Sequence, residues 1–237
     1  MNKKILFIGL LLFQCARPDS AQKLAECLKT KPSPSDTVFF IDYHNVIAYT
    51  DWRQGLNTLW YNEGAFSRMG YIGSYYASKL LRRAIVKDSS LLDYLDKDAT
   101  PGYQETNLAL VNAYYIDDAM VKLLEDVKAR GYHMILFSNT PKTTIKYQED
   151  HHPAVFALFD KVWAREPGSG VTKKSPEAFE QIKTMARNVV PGAKKFIFID
   201  DTQKNLDKAS PADICGLHFK SVDKTRAILR DIGVLEA

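Results

Sequence analysis

Acidic, hydroxyl and basic side chains stand at the ends of short apolar segments at four places along this chain. An aspartate follows "VFFI", and a serine and an asparagine follow "HMILF". A lysine pair precedes "SPEAF", and two aspartates follow "KFIFI". The residues placed in this way are Asp42, Ser138, Asn139, Lys173, Asp200 and Asp201. Because ligands bind beyond the carboxyl ends of parallel strands, we expect these side chains to converge at one sheet edge.

These residue types suit the chemistry of phosphate groups. Carboxylates at neighbouring strand ends repel one another unless a cation lies between them. Oxygen-rich sites of that kind suit Mg²⁺, which takes one or two carboxylates together with water and substrate phosphate oxygens. A hydroxyl and a lysine alongside would hold an anionic group by hydrogen bonds and charge. Each residue alone has a structural explanation, such as helix capping, so it is the ordered set that predicts a phosphoryl-transfer site.

The surrounding sequence predicts an α/β fold, a Rossmann-like three-layer arrangement around a parallel sheet. The apolar segments "VFFI", "HMILF", "KFIFI" and "GLHF" are typical of strands buried on both faces. Amphipathic segments such as "DDAMVKLLEDVKARG", ended by Gly131, and "SPEAFEQIKTMARN", started by Ser175 and Pro176, predict helices between them.

The pattern also predicts how the chain is divided. Residues 51–115 have apolar positions at helical spacing, which indicates an α-helical cap inserted into the core. We therefore predict a leader over residues 1–21, a linker over 22–36, and a core formed by 37–50 and 116–237. The folded domain is expected to begin near Thr37, after the proline and serine stretch "KPSPSD".

The first 21 residues have the order of a secretory signal, with Lys3 and Lys4 before the apolar run from Ile5 to Phe13. That run is shorter than the roughly 20 residues that a membrane-spanning helix needs. We expect export to the periplasm or the extracellular space. "LLFQC" resembles a lipoprotein box, although Gln14 stands where a small residue is usual. Membrane attachment would follow only if Cys15 is lipidated, and the alternative is ordinary cleavage after Ala16 or Ala21.

Charge and cysteine content limit the functional classes further. The formal net charge of +4 is small for 237 residues, which argues against nucleic acid as a partner, because such proteins need a dense basic surface. Cys27 and Cys215 would remain in an exported chain, where an oxidising environment permits but does not require that they pair. The sequence does not indicate an oligomeric state.

The order "DYHNV", "ILFSNT", "KKSPEAF" and "FIDDTQKN" resembles the four motifs of the haloacid dehalogenase (HAD) superfamily, mostly Mg²⁺-dependent phosphatases with an aspartate nucleophile. The resemblance covers roughly residues 37 to 220. It implies that Asp42 is the nucleophile and a metal ligand, and that Ser138 and Asn139 bind the phosphoryl group. It also implies that Lys173 neutralises the charge of the nucleophile and of the phosphoryl group. It further implies Asp201 as a metal ligand, Asp200 as the extra acid of the fourth motif and Asn205 as a supporting residue.

His44 departs from the family pattern, because phosphatases of this family generally carry a second aspartate there. That aspartate acts as acid and base, and gives the metal only its backbone carbonyl, which His44 retains. An imidazole has an ordinary pKa near 6.5 and could perform the acid and base steps. Asn45 also stands where the family frequently has glycine. The alternative interpretation is a catalytically weakened fold that binds a ligand or a partner.

The resemblance therefore implies an exported hydrolase of the HAD type, with Mg²⁺ as cofactor and a small phosphomonoester as substrate. A 2-haloacid dehalogenase is a third alternative. It is less favoured because those enzymes need no metal, whereas the double acid at Asp200 and Asp201 favours a bound metal ion. The substrate itself is not encoded in any motif that we recognise.

Overall fold

A parallel five-stranded sheet forms the centre of the protein. The computed structural model describes residues 20–51, 114–166 and 168–236. Its strands are β1 (Thr37–Ile41), β2 (Ala48–Thr50), β3 (Tyr114–Ile116), β4 (His133–Pro141), β5 (Lys161–Arg165), β6 (Lys195–Asp200) and β7 (Cys215–His218). The large sheet has the order β5-β4-β1-β6-β7, and every adjacent pair in it is parallel. Strands β2 and β3 pair with each other in an antiparallel ladder.

Helices cover both faces of this sheet. They are α1 (Ser20–Leu28), α2 (Asp118–Ala129), α3 (Lys142–His151), α4 (Pro153–Phe156), α5 (Pro176–Val189), α6 (Gln203–Ala209) and α7 (Val222–Asp231), with a 3₁₀ turn at Ser210–Ala212. Helix α2 ends as predicted, with Gly131 at φ 82° just beyond it. Two sets of helices on one sheet give the three-layer α/β fold that the sequence predicts.

Strand β1 shows why its sequence is apolar throughout. Its five residues are all buried, and successive side chains point to opposite faces of the sheet. Phe39 and Ile41 belong to the core cluster that contains residues of α1, α2 and α7. Val38 and Phe40 belong to the other cluster, which is formed with α5 and α6. A central strand covered by helices on both faces has no position for a solvated side chain.

The strand order determines where a site can form. After β1 the chain adds β4 and β5 on one side, and then returns to add β6 and β7 on the other side. The crossovers therefore leave β1 and β6 in opposite directions, which opens a crevice beyond the carboxyl ends of these two strands. Asp42 follows β1 directly, and Asp200 ends β6.

The predicted cap, residues 51–115, lies almost entirely outside the described residues. At its borders, Ala48–Thr50 pairs with Tyr114–Ile116, a short ladder that we did not expect from the sequence. The predicted leader, residues 1–21, also lies outside the described part except for its last two residues. Within the described ranges, no helix is long and apolar enough to cross a membrane.

Residues 22–36, where we expected a linker, contribute to the packed structure. Helix α1 places Leu24 and Leu28 in the core cluster on one face of the sheet. Cys27 of this helix forms a disulfide bond with Cys215 of β7, with 5.8 Å between the two Cα atoms. The pairing that the sequence left open is thus present, and it fixes α1 to the edge strand of the sheet.

Candidate active site

A buried lysine lies between two carboxylates at the carboxyl edge of the sheet. The ammonium of Lys173 is 2.6 Å from Oδ1 of Asp42 and 2.9 Å from Oδ2 of Asp200. The exposed fractions of these side chains are 1%, 10% and 0% respectively. The rings of Phe137 and Phe198 lie 5.4 and 5.2 Å from the same nitrogen. This low-dielectric surrounding strengthens the attraction between the three charges.

Asp42 is held in place by its backbone and by its neighbours. Its N–H donates to the carbonyl of Ile199, which ties the end of β1 to β6. Its Oδ1 accepts a 2.7 Å hydrogen bond from the N–H of Tyr43. Burial raises the pKa of Asp42 to about 7, Lys173 opposes that rise, and the negative charge of Asp200 adds to it. A bound cation would lower this pKa and favour the carboxylate form.

The loop before α5 delivers Lys173 to this edge. The N–H of Lys173 donates a 2.8 Å hydrogen bond to Oδ1 of Asn139, at the end of β4. Ser175 is the N-cap residue of α5, but its hydroxyl bonds with Thr172 instead of capping a helix N–H. The side chain of Asn139 thus positions the backbone of Lys173. The phosphate binding that the sequence predicts for Asn139 is a different role, and it stays a prediction.

The two aspartates at the end of β6 have different surroundings. Asp200 is fully buried, and its carboxylate accepts hydrogen bonds from Lys173, from the N–H of Thr202 and from Nδ2 of Asn205. Asp201 is partly exposed, and it accepts from Nδ2 of Asn45 at 3.0 Å and from the hydroxyl of Thr202 at 3.1 Å. Asp200 is therefore saturated with donors, whereas Asp201 retains the freer carboxylate.

Three carboxylates converge in this site. One ligand oxygen each from Asp42, Asp200 and Asp201 lies within 4.8 Å of the other two. Together with Lys173, which pairs with Asp42 and Asp200, the three carboxylates carry a formal charge of −2 when all four groups are ionised. An all-oxygen donor set with this charge fits Mg²⁺, which binds hard oxygen ligands.

Ser138 lies on the strand next to β1. Strand β4 is aligned with β1 so that Ile41 pairs with Leu136, which places Ser138 beside the end of β1. The side chain is buried, and its Oγ lies 3.0 Å from Oγ1 of Thr140 and 3.2 Å from the N–H of Thr140. The three motif ends after β1, β4 and β6 therefore share one edge, as the sequence predicts.

The side chain of His44 lies against the β2–β3 ladder. Its Nε2 is 3.1 Å from the hydroxyl of Thr50, and its ring meets that of Tyr114 edge to face at 5.5 Å. Among the described residues, the carboxylate cluster does not include this imidazole. The predicted metal contact of His44 uses its backbone carbonyl, and it stays a prediction, as does the acid and base role of the ring.

Two residues that we did not assign to the site contact Asp201. Asn45 reaches its carboxylate from a left-handed backbone with φ 62°, and Nε2 of His218 is 2.9 Å from its backbone carbonyl oxygen. Asn45 follows the predicted site residue His44 and stands where the family frequently has glycine. These two features of the sequence could have indicated a role for it. His218 had no such signal, since it belongs to a strand 17 residues further along the chain.

The strand order and the acids at the ends of β1 and β6 define a class, the Rossmann-like α/β folds with a carboxylate site at the topological switch point of a parallel sheet. The particular fold is that of the HAD superfamily. A HAD-superfamily hydrolase from Ehrlichia chaffeensis matches with a TM-score of 0.50 and 18% identity, covering 86% of this chain and 100% of that one. A HAD family enzyme from Bacteroides thetaiotaomicron matches with a TM-score of 0.56 and 19% identity, covering 78% and 94%.

A third matching structure shows the same Bacteroides thetaiotaomicron enzyme in complex with magnesium and inorganic phosphate, with a TM-score of 0.54 and 18% identity over 78% and 94% of the two chains. No family model and no curated protein matches this sequence. At these identities the likeness concerns the fold. It confirms the predicted fold class and a likeness in fold to solved HAD-superfamily structures.

Proposed function

We propose that this protein is an Mg²⁺-dependent phosphatase that hydrolyses a small phosphomonoester through an aspartyl-phosphate. One observation carries the proposal, namely that Lys173 bridges Asp42 and Asp200 beside a third carboxylate at the switch point of the sheet. The Bacteroides thetaiotaomicron enzyme with magnesium and phosphate supports it by analogy of fold.

In the first step, a carboxylate oxygen of Asp42 attacks phosphorus and the bond from phosphorus to the leaving oxygen breaks. The buried strand β1 and the hydrogen bond from Tyr43 hold the carboxylate in place for this attack. The ammonium of Lys173 and the hydroxyl of Ser138 would bind the oxygens of the phosphoryl group. Covalent catalysis of this kind replaces one difficult displacement by two easier ones.

His44 would supply and remove the protons. The leaving oxygen takes a proton from its imidazolium, and the neutral ring then accepts a proton from a water molecule. The oxygen of that water attacks the aspartyl-phosphate, the bond between Asp42 and phosphorus breaks, and inorganic phosphate leaves. The contact between Nε2 and Thr50 orients the ring for this exchange.

The ligands for Mg²⁺ would be Asp42, Asp201 and the backbone carbonyl of His44, with Asp200 as a further carboxylate. The metal, when bound, would neutralise the charge of the transferring phosphoryl group. Asn205 supports this set by donating to both oxygens of Asp200. We further propose that the protein is exported, which the disulfide between Cys27 and Cys215 supports, because such bonds persist in oxidising compartments.

The test is hydrolysis of an aryl phosphate by the full chain, with Mg²⁺ and with a chelator. Activity should require the metal, and Asp42→Asn should reduce kcat by at least about 10³-fold, because it removes the nucleophile. Asp36→Asn is a matched control, since it changes the aspartate that immediately precedes the same strand at its opposite end. Turnover that persists in Asp42→Asn, or none across a broad panel of phosphomonoesters, would contradict the proposal. Halide release from a 2-haloacid would instead favour the dehalogenase alternative.

A further inference from the structure

The ring of His218 contacts the backbone of the turn that carries Asp201. His218 is the last residue of β7 and is partly buried, and its Nε2 lies 2.9 Å from the carbonyl oxygen of Asp201. A carbonyl oxygen only accepts hydrogen bonds, so Nε2 must carry the hydrogen in this contact. The imidazole is therefore a donor to the turn.

The end of β7 holds two successive residues of that turn. In the parallel ladder, His218 pairs with Asp200, and the N–H of Phe219 donates a 3.0 Å hydrogen bond to the carbonyl of Asp200. The ring of His218 then binds the next carbonyl, that of Asp201. At its other end, β7 is fixed to α1 by the disulfide of Cys215.

One planar peptide links this contact to the candidate active site. The carbonyl of Asp201 and the N–H of Thr202 belong to the same peptide unit, which is rigid and planar. Its carbonyl accepts from His218, and its N–H donates a 2.8 Å hydrogen bond to Oδ1 of Asp200. The peptide is thus held on both sides, and it belongs to the turn that carries the side chain of Asp201.

We propose that His218 is a positioning residue for the metal-binding turn, acting through the peptide between Asp201 and Thr202. The inference rests on the proposed function in so far as it takes Asp201 as an Mg²⁺ ligand. Without the donor of His218, this peptide is held only by the hydrogen bond from Thr202 to Asp200. That bond should then open more readily, which loosens the turn that carries the carboxylate of Asp201.

Two variants separate the donor from the shape of the side chain. His218→Phe keeps a ring but removes the donor, and His218→Gln restores an N–H donor on a flexible side chain. By titration calorimetry with MgCl₂ on the full chain, His218→Phe should weaken Mg²⁺ affinity by about 10-fold, the lower end of the range for residues that orient a ligand. His218→Gln should recover most of that loss. In turnover, the KM for Mg²⁺ should rise more than kcat falls.

A second measurement, made without metal, tests the contact itself. The amide of Thr202 should exchange its hydrogen about 10-fold faster in His218→Phe than in the natural protein in chelator, because its bond to Asp200 opens more readily. Amides of β1 should be unchanged, which excludes general unfolding. Unchanged exchange at Thr202, or equal Mg²⁺ affinity in all three proteins, overturns the proposal. Absence of Mg²⁺ binding in the natural protein would count against the proposed function, while the exchange experiment still decides the role of His218.

Discussion

Asn45 donates a hydrogen bond from Nδ2 to Oδ2 of Asp201 across 3.0 Å, and it does so from a left-handed backbone with φ 62°. Asparagine tolerates this conformation better than most residues with a side chain. The loop after β1 is thereby joined to the end of β6, across 156 residues of sequence. The contact fixes one oxygen of Asp201 while Thr202 binds the other.

The effect of Asn45 can be separated from the strain of its backbone. Asn45→Gly keeps the left-handed conformation without strain but removes the side-chain amide that orients Asp201. Mg²⁺ affinity should therefore fall, with little loss of thermal stability. Asn45→Ala removes the amide and adds about 1 kcal/mol of strain, so it should lower the free energy of unfolding as well. Calorimetry and thermal melts measure the two effects. If glycine leaves Mg²⁺ affinity unchanged, the contact does not orient the ligand.

Removal of the buried ammonium should destabilise the metal-free protein. Lys173→Met leaves Asp42 and Asp200 buried without their cation, which typically costs about 3 to 5 kcal/mol. The loss should be larger at alkaline pH and level off below about pH 7, because the pKa of Asp42, which burial raises to about 7 even with Lys173 present, rises further without that ammonium. Urea denaturation in chelator at several pH values measures this dependence.

Lys183→Met provides the matched control for this experiment. Lys183 is also largely buried, but its partner Glu180 is exposed, and such pairs contribute about 1 kcal/mol or less. Equal losses in the two variants would show that the charge of Lys173 does not stabilise the site.

The disulfide between Cys27 and Cys215 should stabilise the whole domain. The two cysteines are 188 residues apart, and a bond that closes so long a loop strongly restricts the unfolded chain. Replacing both by serine should lower the free energy of unfolding by about 2 to 5 kcal/mol. Cys15→Ser is the control, because it removes the third cysteine and leaves this bond intact. A thiol reductant should lower the melting temperature of Cys15→Ser but not that of the double variant.

Asp36 is expected to contribute to stability near neutral pH. Burial raises its pKa, but hydrogen bonds from Lys195, Thr37 and Ser33 outweigh that effect and lower it to about 2. A lowered carboxyl pKa stabilises the fold above the unfolded value near 3.9, and the stabilisation disappears as the pH falls towards 2. Asp36→Asn should lower the free energy of unfolding by about 1 kcal/mol at pH 7, after allowance for partial exposure. This loss should largely disappear at pH 2.

Urea denaturation across this pH range tests the prediction for Asp36. The exposed Asp231, near the end of α7, is the control, and Asp231→Asn should change stability by less than about 0.5 kcal/mol. A loss in Asp36→Asn that persists unchanged at pH 2 would mean that packing, not charge, stabilises this position.

The sequence predicts the sheet edge well, since buried strands and the polar residues that end them are both local signals. Strand β1 could be read from four successive apolar residues, and the convergence of Asp42 with Asp200 follows from parallel topology. Strand β5 was not predicted, because as an edge strand it is partly exposed and mixes basic with apolar residues. The β2–β3 ladder was missed since each strand has only three residues.

Contacts between distant residues account for most of what was missed in the site. The donor of His218 reaches Asp201 through strand pairing, and the disulfide depends on how α1 lies on β7. No local pattern encodes either contact. The role of Asn139 in holding the N–H of Lys173 has the same origin, because it requires the loop before α5 to return to β4.

His44 decides between the proposed enzyme and the catalytically weakened alternative. If its imidazole is the acid and base, His44→Ala should lower kcat by about 10² to 10⁴-fold, the usual contribution of such a group, while phosphate binding persists. His44→Asp should then give no more activity than the natural protein. If instead the fold is a weakened relative of the HAD phosphatases, the natural protein should show little turnover and His44→Asp should increase it. Thr50→Val, which removes the hydroxyl 3.1 Å from Nε2, also distinguishes the enzyme from the weakened fold. It should lower turnover only if the imidazole of His44 is catalytic, because only then does turnover depend on that contact.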